Sequence, residues 1–150
     1  MIKYVRTDSE NESFQKLVRA LDTDLKVRDG EEHAFYSQFN KIDKIKYAIV
    51  AFENELAVGC GAIKEYAPGT MEVKRMYVAM DKRGQGIATT ILEKLEHWAL
   101  ELNFWKCVLE TGKRQPEAIG LYKKNGYIMI PNFGQYEKVE NSVCFEKTLT

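Results

Sequence analysis

The segment Arg83-Gly84-Gln85-Gly86-Ile87-Ala88 carries the residue types with the clearest chemistry in this chain. Two glycines one residue apart let a backbone turn tightly and approach a ligand, because no Cβ stands in the way. An apolar stripe of helical period begins directly after them. The turn therefore brings unpaired N–H groups and the positive end of a helix dipole to one point, which is a phosphate-binding arrangement. A Walker A loop would need Gly-Lys-Ser/Thr, which is absent. A dinucleotide fingerprint would need a third glycine where Thr89 stands. The same turn also serves as a ligand-free strand-to-helix connection, so its surroundings must decide.

Other reactive side chains form no such pattern. Cys60, Cys107 and Cys144 are odd in number, widely spaced and free of any C-x-x-C pair. They read as reduced, buried cysteines of a cytoplasmic protein. Neither they nor His33 and His97 have the spacing of a zinc site, so no metal is expected. A cysteine nucleophile would need an activating base, and the sequence shows no such pairing.

The elements that must position the glycine turn follow from periodicity. Residues 2–6 alternate as a short strand. Ser9 and Glu12 have capping-box spacing, and Phe14, Leu17, Val18, Leu21 and Leu25 then share one helical face. A second, shorter helix is predicted over residues 31–40. Strands at 45–52, 56–66 and 71–78 are joined by short turns, one at Asn54 and one at Pro68-Gly69, and suggest an antiparallel meander. Ile87, Ala88, Ile91, Leu92, Leu95, Trp98, Ala99 and Leu102 form the stripe of a long helix. A buried strand at 106–110 follows. A helix then opens at Pro116 and stops at Asn125-Gly126. Strands at 127–130 and 142–149 flank a loop over 131–141. The order is β-α-α-β-β-β-α-β-α-β-β, and the strand–helix–strand around 73–110 asks for a parallel neighbour.

In this frame, Arg83-x-x-Gly86-x-Ala88, fed by the strand Glu72-Val73-Lys74-Arg75-Met76-Tyr77-Val78, resembles the R/Q-x-x-G-x-G/A signature of the GNAT N-acetyltransferase superfamily. The later stretch is similar to that family's second cofactor segment. It runs Leu109-Glu110-Thr111-Gly112, Gln115-Pro116-Glu117-Ala118-Ile119-Gly120-Leu121-Tyr122 and Asn125-Gly126-Tyr127. The resemblance is strong over residues 56–130. Gln115 stands where many relatives have Asn, and its amide can make the same hydrogen bonds.

The resemblance implies an α/β (α+β) fold with a mixed, mostly antiparallel sheet split like a V and helices on both faces, in one domain spanning 1–150. It implies an enzyme that moves an acetyl group from acetyl-CoA directly to a primary amine of a small molecule or peptide. The pantetheine arm would pair with Met76, Tyr77 and Val78. Arg83, Gly84, Gln85, Gly86, Ile87, Ala88 and Thr89 would hold the pyrophosphate, with Gln115, Ala118 and Tyr122 completing the cosubstrate site. Tyr122 would be the acid for the departing thiolate and Glu72 the base. Amides near Val78 would serve the oxyanion. A non-catalytic acyl-CoA-binding or regulatory module would keep the same turn, and a nucleotide binder is a third reading. The acceptor site would come from residues 9–43 and 131–141. There Asp22, Asp24, Asp29, Glu31 and Glu32 either attract a cationic amine or form a solvated face, and Phe133 and Tyr136 either line a pocket or cover the core.

Composition sets the outer bounds. The 150 residues hold 22 basic and 22 acidic side chains, a net charge of zero. Binding to nucleic acid by bulk charge is disfavoured, since it needs a basic excess. No run of apolar residues is long enough for a membrane span, and the charged N-terminal segment is unlike a signal peptide. A homodimer is compatible with the chain. Under the neutrality lies a split: residues 1–43 carry seven basic and nine acidic groups, and residues 82–124 carry eight and five. The basic half coincides with the expected cosubstrate side.

Overall fold

The computed structural model describes residues 1–29 and 44–150. The helix expected over 31–40 lies outside the described residues. In chain order the elements are β1 (Ile2–Thr7), α1 (Glu12–Asp29), β2 (Tyr47–Glu53), β3 (Leu56–Ala67), β4 (Thr70–Val78), α2 (Ile87–Glu101), β5 (Lys106–Gly112), α3 (Pro116–Lys124), β6 (Ile128–Ile130) and β7 (Ser142–Thr148). Short 3-10 turns occupy Met80–Lys82 and Gly134–Tyr136.

The turns form where local chemistry directs. Asn54 and Asn103 adopt positive φ of 58° and 68°, and Gly69 and Gly126 do the same at 72° and 90°. The start of α1 differs from the capping box. Asn11 caps it, its Oδ1 accepting from the Phe14 N–H at 2.9 Å. Ser9 is committed elsewhere: its N–H donates to the Ile45 carbonyl at 2.9 Å, and its Oγ accepts from the Ile45 N–H at 3.1 Å. A buried tertiary contact has claimed the hydroxyl, so the helix opens two residues later on the next available cap.

The seven strands form one sheet in the order β1-β2-β3-β4-β5-β7-β6. All neighbours are antiparallel except β4 and β5, which are joined through α2 and run parallel. Alternation in β2 sorts the two faces. Ala48 and Val50 meet Phe14, Leu17 and Val18 of α1, while Ile49 and Ala51 meet the cluster built around α2. Ile91, Leu92 and Leu95 of α2 are fully buried. At roughly 1.5–3 kcal/mol per fully buried aliphatic side chain, this packing outweighs intrinsic propensity in holding the helix. α2 also carries a buried carboxylate, Glu96. It accepts from the Tyr127 hydroxyl and the Lys147 ammonium, both at 2.9 Å, which fixes the helix to Tyr127 and β7.

The approach of α2 to the sheet requires small residues on β3. A Cβ on Gly61 would meet Met76 Sδ at 2.5 Å and Ile91 Cγ2 at 2.9 Å. The conflict with Met76 arises because β4 places both Arg75 and Met76 opposite Gly61, a bulge between the Cys60–Tyr77 and Ala62–Lys74 pairs. Gly61→Ala should therefore lower the unfolding free energy by about 1–3 kcal/mol, the usual cost of overpacking, as read from urea denaturation midpoints.

Candidate active site

β4 and β5 pair only at Thr70–Lys106, Met71–Cys107 and Glu72–Val108. Beyond Glu72 the strands part. β4 stays with β3 up to Val78, and β5 stays with β7 up to Gly112. Arg75, at the bulge, has φ of +61°, a left-handed conformation that costs a side-chain-bearing residue about 1–2 kcal/mol. The split opens a cleft of about 470 Å³, and α1, the glycine turn and α3 supply its remaining walls.

Among the described residues, no strand lies beside the far edge of β4. The Ala79 N–H donates to Val58 of β3 at 2.8 Å. Successive residues of an extended chain face opposite ways, so the amide and carbonyl of Val78 face the cleft. The Val78 carbonyl accepts from Arg83 Nε at 2.9 Å, and the Arg83 guanidinium lies 5.6 Å from the centre of the Tyr77 ring.

The glycine turn takes the form its sequence implies. Gly84 and Gly86 have φ of 82° and 81°, and a Cβ on either would meet no atom within 4 Å. Space is thus left open around a turn that only glycine adopts at low cost. Gly86 caps α2 without a side-chain hydrogen bond, and the first turn has no acidic residue. The first helical bond shown runs from the Thr90 N–H to the Gly86 carbonyl at 3.0 Å. Ile87, Ala88 and Thr89 lie ahead of it, in the turn whose donors a helix leaves without internal partners. Lys82, Arg83 and Lys124 line the same end. Donors, dipole, open space and positive charge all fit a pyrophosphate.

At the other end stand the ionisable groups. Glu72 is buried and Lys74 partly buried, with Lys74 Nζ 3.8 Å from the Glu72 carboxylate. Burial pushes the Glu72 carboxyl above the usual carboxylate range, with Lys74 the leading opposing influence. Burial pulls the Lys74 ammonium down against the attraction of Glu72. Both groups are thus shifted toward neutrality. Tyr122 of α3 packs edge-on to Tyr127 with ring centres 5.8 Å apart. Burial, reinforced by Glu110, raises its phenol well above the ordinary value, so it stays protonated.

Of the residues expected from the sequence, Glu72, Met76, Tyr77, Val78, Arg83, Gly84, Gly86, Ile87, Ala88, Thr89, Gln115, Ala118 and Tyr122 all line this one cleft. Gln85 does not line it and is exposed at the tip of the turn. Asp24 and Tyr136 reach the cleft, whereas Asp22 and Phe133 are not among its lining residues. Phe133 instead packs edge-on between Tyr66 and Tyr136, at 5.0 and 5.9 Å. Glu31, Glu32, His33 and the Asp29 side chain lie outside the described residues. His97 is exposed and away from the cleft. The three cysteines are free and buried. Burial pushes the Cys60 and Cys107 thiols to about 12 and the Cys144 thiol to about 11, which removes them as nucleophiles.

Glu110 and Arg28 are among the cleft residues not singled out from the sequence. Glu110, whose carboxylate accepts from the Ser142 hydroxyl at 2.6 Å, had one available signal: it is a carboxylate inside an apolar strand. Arg28 had none, since its i,i+4 pairing with Asp24 looks like any solvated helix face.

Residues 12–127 match the sequence profile of the acetyltransferase (GNAT) family. The chain belongs to that family. It is 38% identical over 102 residues to an IAA acetyltransferase of Azospirillum brasilense, covering 67% of each chain. It is 30% identical over 101 residues to the N-acetyltransferase YsnE of Bacillus subtilis, covering 66% of this chain and 67% of the relative. Among solved structures, one from Klebsiella pneumoniae subsp. pneumoniae, assigned as an acyl-CoA N-acyltransferase, superposes with a TM-score of 0.80 at 30% identity over 98% of both chains. A Thermoplasma acidophilum N-acetyltransferase solved with coenzyme A shares the fold, with a TM-score of 0.73 at 17% identity over 99% of both chains. The GNAT fold is therefore the fold of this chain, and its activity is acyl-CoA-dependent acetyl transfer.

Gly86→Ala should cost about 1–2 kcal/mol, the backbone strain of a Cβ at positive φ. It should cost no more, because the added carbon meets nothing. Thermal and urea denaturation of this variant beside Gly61→Ala will separate backbone strain from steric overlap.

Proposed function

We propose that this enzyme transfers the acetyl group of acetyl-CoA to a primary amine of a small molecule or peptide, by direct attack with both substrates bound, within a single domain. The observation that carries the reading is the convergence of a phosphate-suited turn, a strand edge without a neighbouring strand, a buried carboxylate and a protonated phenol on one cleft.

Each residue's part follows from its setting. The first turn of α2, with Arg83, binds the pyrophosphate; Gln115 and Ala118 flank it from α3. The edge of β4 at Met76, Tyr77 and Val78 positions the pantetheine arm, because backbone groups without a strand partner readily accept an extended chain. The acceptor arrives as an ammonium and must lose a proton before its nitrogen can attack. Glu72 takes that proton, directly or through a water. The Val78 amide faces the place where the thioester oxygen gains charge and holds the oxyanion without reorganising. Tyr122 returns a proton to the departing thiolate, for which a phenol held neutral at working pH is suited.

Isothermal titration with acetyl-CoA is the first test, and an absence of binding at millimolar cosubstrate would overturn the reading. Tyr122→Phe should lower kcat by about 100-fold with little change in the KM for acetyl-CoA, as loss of a general acid without loss of packing would do. An unchanged kcat would remove Tyr122 from the chemistry.

The pH dependence has a defined sign. Glu72 acts as base only when ionised, and its folded pKa is raised above 4.5. Activity is therefore lost as pH falls through the raised value, so the acid limb of kcat/KM lies above the ordinary carboxylate range. In Glu72→Gln that limb should vanish and kcat should drop by about 100-fold. A limb that persists unchanged in the variant would assign the base elsewhere.

A further inference from the structure

Three groups at the rim of the cleft form a bridge between helices far apart in sequence. Leu21, Asp24, Leu25 and Arg28, spaced along one face of α1, all line the cleft. Arg28 Nε lies 3.3 Å from Asp24 Oδ2. Its Nη1 forms an ion pair with Glu117 of α3 and donates to the Arg114 carbonyl at 3.4 Å. One guanidinium thus ties α1 to the start of α3 and offsets one of the two negative charges it meets.

Glu117 has two opposed effects at that place. It sits in the first turn of α3, where a negative charge favours the helix dipole. It also lines the cleft that holds the glycine turn, close enough to Arg83 for that cation to favour its ionised form, though burial and its own backbone N–H act more strongly on it. A bare carboxylate there stabilises α3 but repels phosphate. Asp24 would add a second negative charge. Arg28 reconciles the two requirements, because it leaves the helix its charge and screens that charge from the cleft.

We propose that Arg28 is a positioning residue for the cosubstrate, which makes the phosphate end of the cleft accept a polyanion by pairing with Asp24 and Glu117 and offsetting one of their two charges. The inference rests on the assignment of this cleft to acetyl-CoA. It concerns cosubstrate affinity and leaves the chemical step to other groups.

The test compares the intact wild-type chain with Arg28→Met, Arg28→Lys, Glu117→Gln and the double variant Arg28→Met/Glu117→Gln. Methionine keeps the apolar stem and removes only the charged head. Acetyl-CoA affinity is read by isothermal titration at two salt concentrations, and thermal denaturation confirms that each variant is folded. Arg28→Met should weaken binding about fivefold at low salt, the scale of one added charge repulsion at a half-exposed site. The gap should narrow at high salt, because screening weakens repulsion. The double variant should recover to within about twofold of wild type, and Arg28→Lys should bind as wild type does, since both restore the local charge balance. A merely structural bridge predicts the opposite: a double variant as weak as Arg28→Met and a gap unaffected by salt. Either result would overturn the inference, as would unchanged binding by Arg28→Met. If wild type itself fails to bind, the assignment of the cleft falls and this inference falls with it. If only the variants depart from expectation, the assignment of the cleft stands and this inference alone falls.

Discussion

Backbone amides and carbonyls must find partners, and β4 beyond Glu72 has a strand on one side only. The rest of the site depends on that constraint. The three-residue pairing with β5 is long enough to hold the sheet together and too short to close it. On one side β4 follows β3 and α2; on the other β5 remains with β7 through seven pairs. The bulge at Arg75 and Met76 adds local twist where the strands begin to part. A cleft with exposed main-chain groups along one wall results, which is what an extended, amide-bearing cosubstrate arm needs.

The bulge also explains features that look unrelated to it. Placing two residues opposite Gly61 drives Met76 Sδ toward that glycine. A Cβ on Gly59 would meet Ile87 Cγ2 and Ile91 Cδ1 at 3.2 Å. The two glycines let α2 lie close against β3, and α2 then delivers its N-terminus to the mouth of the cleft. Helix packing, strand divergence and the placement of the glycine turn are therefore coupled through a few small residues on β3. The Glu96–Tyr127–Lys147 contacts hold the other half of α2, so the helix is fixed along its length.

Charge is distributed unevenly along the cleft. The end with the glycine turn is lined by Lys82, Arg83 and Lys124, and the carboxylates of Asp24 and Glu117 are both met by Arg28. The opposite end carries Glu72 and Lys74, which burial shifts toward neutrality from opposite directions. Groups held near neutrality can move protons at modest cost. Of the acidic residues in the first segment, Asp24 lines the cleft and meets Arg28.

The sequence by itself determined the identity and order of the described elements, and with them the glycine turn. Glycine spacing, helical stripes and turn residues act over a few positions, so they can be read without the rest of the chain. It also determined which residues converge: nearly every position singled out between Glu72 and Tyr122 lines one cleft, because the motifs sit at the ends of the elements that bound it. Tertiary structure decided what depends on distant partners. Asn11 displaced Ser9 as helix cap because Ile45 claimed the serine. β7 inserted between β5 and β6, a pairing that no local pattern encodes. The bulge at Arg75 and the Arg28–Glu117 bridge arise between residues far apart in the chain. Periodicity records which face a side chain takes within its own element, and only the assembled fold sets which charge or amide will face it across the cleft.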